Sequence, residues 1–263
     1  MFLLDFFTTI GMDEQPVNYL FGPYHLVYFL ICLISFIFLY KWIRKQEIKK
    51  QDLFINIALI LILVLKYVVE IIFIYEYYFV EPAYSSYPHP FLDVNTFISF
   101  QLCGVMNIFL PITIWFDIKP LKPFVYLTSI LGGLAVVLYP VTVLYGDPFQ
   151  ITLPMIRSSV VHFFLVLIPI ILINREDIVL TKKDGISITI GLLSVATWAM
   201  FGNLFIDTQA NNMYLMKNPF FGGPIGGLNI LPDGFHVILL AVLVTLGYVL
   251  VYNIAKQFQK KSV

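Results

Sequence analysis

The chain has 263 residues, of which 59% are hydrophobic and only 12% are charged, and its mean hydropathy is +0.87. Soluble domains carry about twice that share of charged residues, so the composition excludes an ordinary soluble protein. The formal net charge is zero, so no overall basic field attracts nucleic acid, and no nucleic-acid partner is expected. Two cysteines are too few for the disulfide framework of a small secreted domain.

The N-terminal segment begins MFLLDFFTTI and is apolar. It lacks the cationic start and the small-residue cleavage site of a signal peptide. We predict that residues 1–20 form an interfacial segment on the extracytoplasmic side of a membrane.

Seven apolar stretches follow, each close to the ~20 residues that a helix needs to cross a bilayer. In chain order they are 24–42, 54–76, 96–116, 123–144, 155–173, 186–206 and 235–255. The links between them collect proline, glycine, asparagine and charged residues, as turns do. We therefore predict an all-α, polytopic integral membrane protein. Residues 21–256 form a single domain of seven transmembrane helices, and residues 257–263 form a basic tail.

Basic residues lie mainly on one side of this predicted bundle. Thirteen of the 16 lysines and arginines fall in the first, third and fifth links and in the C-terminal tail. They are Lys41, Arg44, Lys45, Lys49, Lys50, Lys119, Lys122, Arg175, Lys182, Lys183, Lys256, Lys260 and Lys261. Because basic loops are retained in the cytoplasm, we predict an external N-terminus and a cytoplasmic C-terminus.

Polar side chains within the spans fall mostly in the outer half of the bilayer under this orientation. They include His25, Lys66, Glu70, Gln101, Cys103, Asn107, Arg157, His162, Asn203 and His236. Such groups are costly in a membrane and are functional candidates by default. Their common depth predicts a polar cavity that opens toward the external leaflet. His25 and His236 are equally compatible with this cavity and with packing.

Cys103 and His162 each lie seven residues into a predicted span, so a rise of ~1.5 Å per residue places both at about 10 Å depth. An imidazole beside a thiol can take its proton and create a nucleophilic thiolate, the minimum set for acyl transfer through a thioester. Gln101 or Asn107 would donate a hydrogen bond to the developing oxyanion. Arg157, at headgroup level, suits a lipid phosphate because a guanidinium binds phosphate oxygens in a fork.

Structural explanations of the same residues remain open. Free cysteine often packs as a small hydrophobic residue, and His162 can serve an interhelical hydrogen bond. Lys66 and Glu70 have the i, i+4 spacing of a helical ion pair. A disulfide between Cys32 and Cys103 is a further alternative.

Five segments carry a family resemblance: FGPYHLVYFLI, ISFQLCGV, GGLAVVLYP, RSSVVHFFLVLIPIIL and GNLFIDTQANNMYLMKNP. On these segments the chain resembles the YwaF-like bacterial integral membrane proteins, whose relatives include a vertebrate multi-pass membrane acyltransferase. The resemblance implies a seven-helix fold in the cell membrane of a bacterium and an acyl-transfer site with Cys103 and His162 as catalytic residues. It also implies that Gln101, Arg157 and the Asn-Asn-Met-Tyr segment line the pocket.

The predicted function is a membrane-embedded lipid acyltransferase, or an acyl hydrolase, that acts on a membrane phospholipid or lysophospholipid. The candidate substrate-binding residues are His25, Glu70, Gln101, Asn107, Arg157, Asn203, Asn212 and Tyr214. No cofactor or metal is expected, because the four histidines and two cysteines show no close ligand spacing. The alternative is a transporter or a small-molecule binding protein with an externally open polar pocket. A retinal photoreceptor is excluded, since residues 237–255 contain no lysine. The oligomeric state is left open.

Overall fold

The computed structural model describes residues 6–7, 19–79, 97–140, 143–144, 149, 151–208, 210–218 and 231–260. Most of the predicted N-terminal segment 1–20 and the last residues of the predicted tail lie outside this part of the chain.

Seven α-helices make up most of the described residues. They are α1 (Pro23–Arg44), α2 (Ile48–Phe79), α3 (Leu102–Trp115), α4 (Lys122–Leu138), α5 (Leu153–Asn174), α6 (Asp184–Phe201) and α7 (Phe235–Lys260). A π-helical turn, Gly202–Ile206, continues α6, and a 3₁₀ turn follows at Asn212–Tyr214. Each α-helix overlaps one predicted apolar stretch. The all-α prediction is therefore confirmed over the described ranges, which contain no strand.

Five of the helices are long and apolar enough to cross a membrane, namely α1, α2, α5, α6 with its π-turn, and α7. The other two are shorter: α3 has 14 residues and α4 has 17. At ~1.5 Å per residue they extend about 21 and 26 Å, against a hydrocarbon core of ~30 Å. The protein is thus a multi-pass helical membrane protein. Membrane crossing by α3 and α4, and the orientation of the chain, stay predictions.

In two of the predicted stretches the helix is shorter than expected, for local reasons. The third stretch was expected to be helical from residue 96, but Ser99 has a left-handed backbone (φ 57°) and Gln101 is extended, so α3 begins only at Leu102. The fourth stretch was expected to continue to residue 144, but α4 ends at Leu138. Pro140 disfavours helical geometry in the residue before it, which accounts for the earlier end.

The ends of α1 follow the usual chemistry of helix termini. Gly22 is extended and precedes Pro23, whose missing N–H and fixed φ suit the first helical position. Lys41 and Arg44 lie in the last turn, where positive charge offsets the negative end of the helix dipole.

The chain forms two compact units. The first comprises Met1–Phe97 and Gly132–Ile168, and the second comprises Ile98–Leu131 and Pro169–Val263, so α4 and α5 contribute to both. In the first unit, Tyr28 and Cys32 of α1 form a buried cluster with Val143 and Leu144. Cys32 is therefore a packing residue. The predicted organisation as a single domain stays a prediction.

In the second unit, a buried lysine joins the ends of two helices. Asp117 and Glu176 adopt left-handed backbones (φ 49° and 59°) just after α3 and α5. Lys122 Nζ lies 2.6 Å from Asp117 Oδ1 and 2.8 Å from Asp177 Oδ2, and the Tyr126 hydroxyl donates to Asp177 Oδ2 at 2.7 Å. The hydrogen bond and charge of Lys122 lower the pKa of the exposed Asp117 carboxyl. This cluster ties the links after α3 and α5 to the start of α4.

Candidate functional site

The ten predicted site residues divide between the two units. The first unit contains His25, Glu70, Arg157 and His162. The second contains Gln101, Cys103, Asn107, Asn203, Asn212 and Tyr214. Cys103 and His162 thus belong to different units, and the predicted contact between the thiol and the imidazole stays a prediction.

The hydrogen bonds of His162 define its tautomer. Its Nδ1 lies 2.7 Å from the backbone oxygen of Ser158, one turn earlier on α5, and 3.3 Å from the Ser158 hydroxyl. A carbonyl oxygen can only accept, so Nδ1 carries the proton and donates. In the neutral imidazole the lone pair is then on Nε2. The nitrogen of neutral His162 that can accept a proton is therefore Nε2.

The other two histidines of the described ranges have the opposite tautomer. The backbone N–H of Phe21 donates to Nδ1 of His25 at 3.0 Å, and the N–H of Gly234 donates to Nδ1 of His236 at 3.2 Å. Nε2 of His236 donates to the Tyr214 backbone oxygen at 2.9 Å. Both histidines are buried. They stabilise the starts of α1 and α7, which favours packing over the predicted cavity role.

Close packing of α4 against α5 fixes the backbone at His162. A Cβ added to Gly133 would lie 2.7 Å from the His162 backbone oxygen and 2.6 Å from Val166 Cγ2. Both distances are shorter than side chains tolerate, so only glycine allows this approach. Gly133 therefore acts as a positioning residue for His162.

We expect Gly133→Ala to destabilise the protein by about 1–3 kcal/mol, because the added methyl group forces α4 away from α5. Chemical denaturation in mixed micelles measures the change. Gly185→Ala is the matched control, since a Cβ at Gly185 meets nothing within 4 Å. Equal stability of the two variants would contradict the close approach.

A cluster of ionisable groups on α2 and α5 also belongs to the first unit. Lys66 Nζ and Glu70 Oε1 lie 3.6 Å apart, so the predicted i, i+4 ion pair is confirmed. The charge of Arg157 acts on both Lys66 and His162. Lys66 is only 2% exposed. Lys66, which is paired with Glu70, and His162 are thus both near Arg157, and a common substrate-binding pocket for these residues stays a prediction.

Cys103 is the second residue of α3, while His162 is the tenth residue of α5. Each residue was expected seven residues into its predicted span, but α3 begins six residues after the predicted start and α5 begins two residues before it, so the two positions along their helices differ. The first intrahelical backbone bond runs from Val105 N to Gln101 O at 2.9 Å. The N–H groups of residues 102–104 precede it and have no acceptor within the helix. The Cys103 side chain is half-buried.

A hydrogen-bonded network in the second unit joins three of the predicted site residues. The Oδ1 of Asn203, in the π-turn, accepts from the backbone N–H of Asn212 at 2.8 Å and from its side-chain amide at 2.9 Å. Asn203 Nδ2 donates to the Asn212 backbone oxygen at 3.2 Å. The N–H of Met213 donates to Gln101 Oε1 at 3.0 Å. Gln101, Asn203 and Asn212 are therefore brought together beside the start of α3.

The turn before α3 is tightly packed in the same unit. The indole N–H of Trp198 donates to the Ser99 backbone oxygen at 3.2 Å, and the Trp198 ring packs on Phe100. A Cβ at Gly104 would lie 1.9 Å from Ser99 Oγ. Gly104 thus permits the left-handed turn at Ser99 that ends directly before Gln101 and Cys103.

Asn107 and Tyr214 complete the predicted set. Asn107 lies one turn after Cys103 on the same side of α3. It is buried, and its Oδ1 has no hydrogen-bond partner among the described residues. Tyr214 is 40% exposed and has a left-handed backbone (φ 56°). Its backbone oxygen, which binds His236, is its anchoring group.

Three residues that shape the candidate site were not predicted from the sequence. Ser158 and Gly133 set the position and tautomer of His162, and Trp198 anchors the turn before α3. Ser158 precedes His162 by four residues, a spacing that signals a contact on one helix face. Gly133 and Trp198 act across sequence separations that no local pattern reveals.

Both cysteines are free, so the Cys32–Cys103 disulfide alternative is wrong. Comparison with known proteins adds one positive finding: the model of the family described as the TMEM164 family matches residues 20–252. Searches of the curated proteins and of the solved structures returned no match.

Proposed function

This chain belongs to the TMEM164 family, a family of transmembrane proteins, and we propose that it is a membrane-embedded lipid acyltransferase that uses Cys103 and His162. With water as acceptor the same site acts as an acyl hydrolase. The proposed substrate is a membrane phospholipid or lysophospholipid of the outer leaflet. The proposed location is the cell membrane of a bacterium, in line with the resemblance to the YwaF-like proteins.

The placement of Cys103 at the start of α3 carries the proposal. The positive end of a helix dipole favours a thiolate there. The N–H groups of residues 102–104, which lack intrahelical acceptors, are also suited to a developing oxyanion. A cysteine in the middle of a transmembrane helix would have neither feature.

The tautomer of His162 supports the same chemistry. Its Nδ1–H is held by the Ser158 carbonyl, which leaves Nε2 as the proton acceptor. His25 and His236 bind backbone N–H groups through Nδ1. Neither offers a basic nitrogen in its neutral form, so His162 is the base in this proposal.

In the proposed reaction, His162 Nε2 takes the thiol proton and the Cys103 sulfur attacks the carbonyl carbon of a phospholipid ester. The tetrahedral intermediate expels the lysolipid alkoxide, which takes the proton from the imidazolium. A thioester now links the acyl group to Cys103. The hydroxyl of a second lysolipid, or water, loses its proton to His162 and attacks this thioester, which restores the thiol.

Three further residues have proposed roles in binding. Arg157 binds the lipid phosphate through its guanidinium. Gln101 uses Oε1 to hold Met213, which leaves its side-chain amide to donate to the ester oxygen. Asn107 presents a buried side chain one turn below the thiol.

The covalent intermediate is the direct test. Proteoliposomes that contain a phospholipid with an alkyne-tagged acyl chain should yield a protein adduct that neutral hydroxylamine removes. Neutral hydroxylamine cleaves a thioester but not an ordinary oxygen ester, and peptide mapping should place the adduct on Cys103, the proposed nucleophile.

Cys32→Ala is the matched control and should keep the adduct, since Cys32 is a packing residue. Cys103→Ala should abolish it while leaving thermal stability unchanged. An adduct that persists in Cys103→Ala would overturn the thioester route. The route would also be overturned if the unmodified protein turns over lipid but forms no adduct.

A second candidate function is transport or binding of a small polar molecule. The buried Lys66 and its ion pair with Glu70 favour it, because intramembrane ionisable groups commonly line ion or substrate pathways. This alternative predicts equal and slow alkylation of Cys32 and Cys103 by a thiol reagent. The acyltransferase proposal instead predicts preferential alkylation of Cys103.

A further inference from the structure

A groove of about 930 Å³ lies in the second unit, along α3 and α6. None of the predicted site residues lines it. Its walls are mostly apolar and include Val105 and Phe109 of α3 and Ile190 and Trp198 of α6. Walls of this composition suit a hydrocarbon chain.

One end of the groove is basic. Lys119, in the link after α3, and Lys183, just before α6, both line this end and are both exposed. Within the described ranges, neither ammonium has a carboxylate within 4.0 Å. Asp184 also lines this end, but its carboxylate accepts from the backbone N–H and the hydroxyl of Thr181. Two lysine ammonium groups, neither in a salt bridge among the described residues, therefore line this end of the groove.

Direct contacts hold the basic end in place. The hydroxyl of Ser187 on α6 donates to the Pro120 backbone oxygen at 2.6 Å. The ring of Phe124 on α4 lies against Gly191, where an added Cβ would be 2.3 Å from the nearest ring atom. The link that carries Lys119 is thus fixed against the helix that follows Lys183.

We propose that this groove binds an anionic phospholipid, with its phosphate between Lys119 and Lys183 and one acyl chain along α3 and α6. The ammonium groups complement the headgroup charge, and the apolar walls match the chain. From Lys183 to Trp198, α6 rises about 22 Å. This exceeds half of the ~30 Å hydrocarbon core, so a chain that starts at the headgroup lies in the groove over its length.

This lipid is distinct from the substrate of the proposed acyl transfer. Cys103 is at the first turn of α3 and Lys119 follows its last turn, about 18 Å of helix away. An ester carbonyl lies next to the headgroup, so a lipid anchored at Lys119 keeps its ester far from the thiol. The proposal therefore stands whether or not Cys103 forms a thioester.

The test uses Trp198 as a reporter inside the groove. The chain has three tryptophans, and Trp42→Phe with Trp115→Phe leaves Trp198 alone. The protein is placed in phosphatidylcholine bilayers, and a lipid with brominated chains is added to quench Trp198. Brominated phosphatidylglycerol should quench with roughly tenfold higher apparent affinity than brominated phosphatidylcholine, because each lysine near a membrane surface attracts anionic lipid.

Lys119→Gln with Lys183→Gln should remove this preference and leave quenching by phosphatidylcholine intact. Lys49→Gln with Lys50→Gln removes the same charge from exposed positions outside the groove and should leave the preference unchanged. Native mass spectrometry measures the phosphatidylglycerol that each variant retains. Ser194→Trp, inside the groove, should reduce this amount, whereas Leu193→Trp, outside the groove, should not. Equal quenching by the two lipids, or a preference that survives loss of both groove lysines, would overturn the proposal.

Discussion

We expect His162→Asn to lower the rate of acyl transfer by about 10²–10⁴-fold, the usual contribution of a general base, without unfolding the protein. The asparagine amide occupies the place of Nδ1 and can still donate to the Ser158 carbonyl, which His162 binds at 2.7 Å. It offers no basic atom in place of Nε2. The measurement is acyl exchange between labelled phospholipid and lysolipid in proteoliposomes, with thermal stability recorded in parallel.

His162→Ala is the companion variant, because it removes both the base and the bond to Ser158. It should be as inactive as His162→Asn but less stable. Full turnover by a folded His162→Asn variant would eliminate His162 as the base. The required contact has its own test: in a Cys32→Ala background, His162→Cys should form a disulfide with Cys103 on mild oxidation, and failure to form it would contradict the pairing.

We expect Asn203→Leu to destabilise the protein by about 3–5 kcal/mol. Asn203 makes three hydrogen bonds to Asn212, and both residues are at most 2% exposed. Leucine has a similar volume but leaves three buried polar groups of Asn212 without this partner, and each such group costs about 1–3 kcal/mol. Denaturation in mixed micelles measures the loss, and proteolysis of the 207–218 segment should accelerate.

Asn211→Ala provides the matched control for Asn203→Leu. Asn211 also makes three side-chain hydrogen bonds, to the backbone of Met216 and Lys217, but in an exposed setting. Water can replace these bonds, so the loss should stay below about 1 kcal/mol. Equal destabilisation by the two substitutions would show that burial does not set the strength of the Asn203 network.

The helices and one ion pair could be predicted from the sequence because their causes are local. Apolar stretches of membrane-spanning length marked all seven helices, and the i, i+4 spacing of Lys66 and Glu70 marked their contact. The end of α4 was also readable, since Pro140 limits the residue before it. Mostly apolar residues continue past Pro140 to Leu144, and this apolar length predicted a longer helix than the one that forms.

The start of α3 and the network around it were not predictable from local pattern. The backbone is left-handed at Ser99, Met213 and Tyr214, a conformation that residues other than glycine and asparagine rarely adopt. Trp198, His236 and Gln101 bind the backbone of these turns from distant positions. The polar residues were visible in the sequence, but the pairing of one amide with another depends on tertiary contacts.

Because α3 has only 14 residues and is predicted to cross the membrane, we expect this protein to be sensitive to bilayer thickness. A helix shorter than the surrounding hydrocarbon is accommodated by local thinning of the bilayer or by polar flanks that reach the interface. Polar residues flank α3 on both sides, with Ser99 and Gln101 before it and Asp117 and Lys119 after it. For a transmembrane α3, we expect thin membranes of short-chain lipids to match the helix and thick membranes of long-chain lipids to cover Cys103 with more hydrocarbon. We therefore expect host lipid composition to change the distance between the thiol and the nearest headgroup layer.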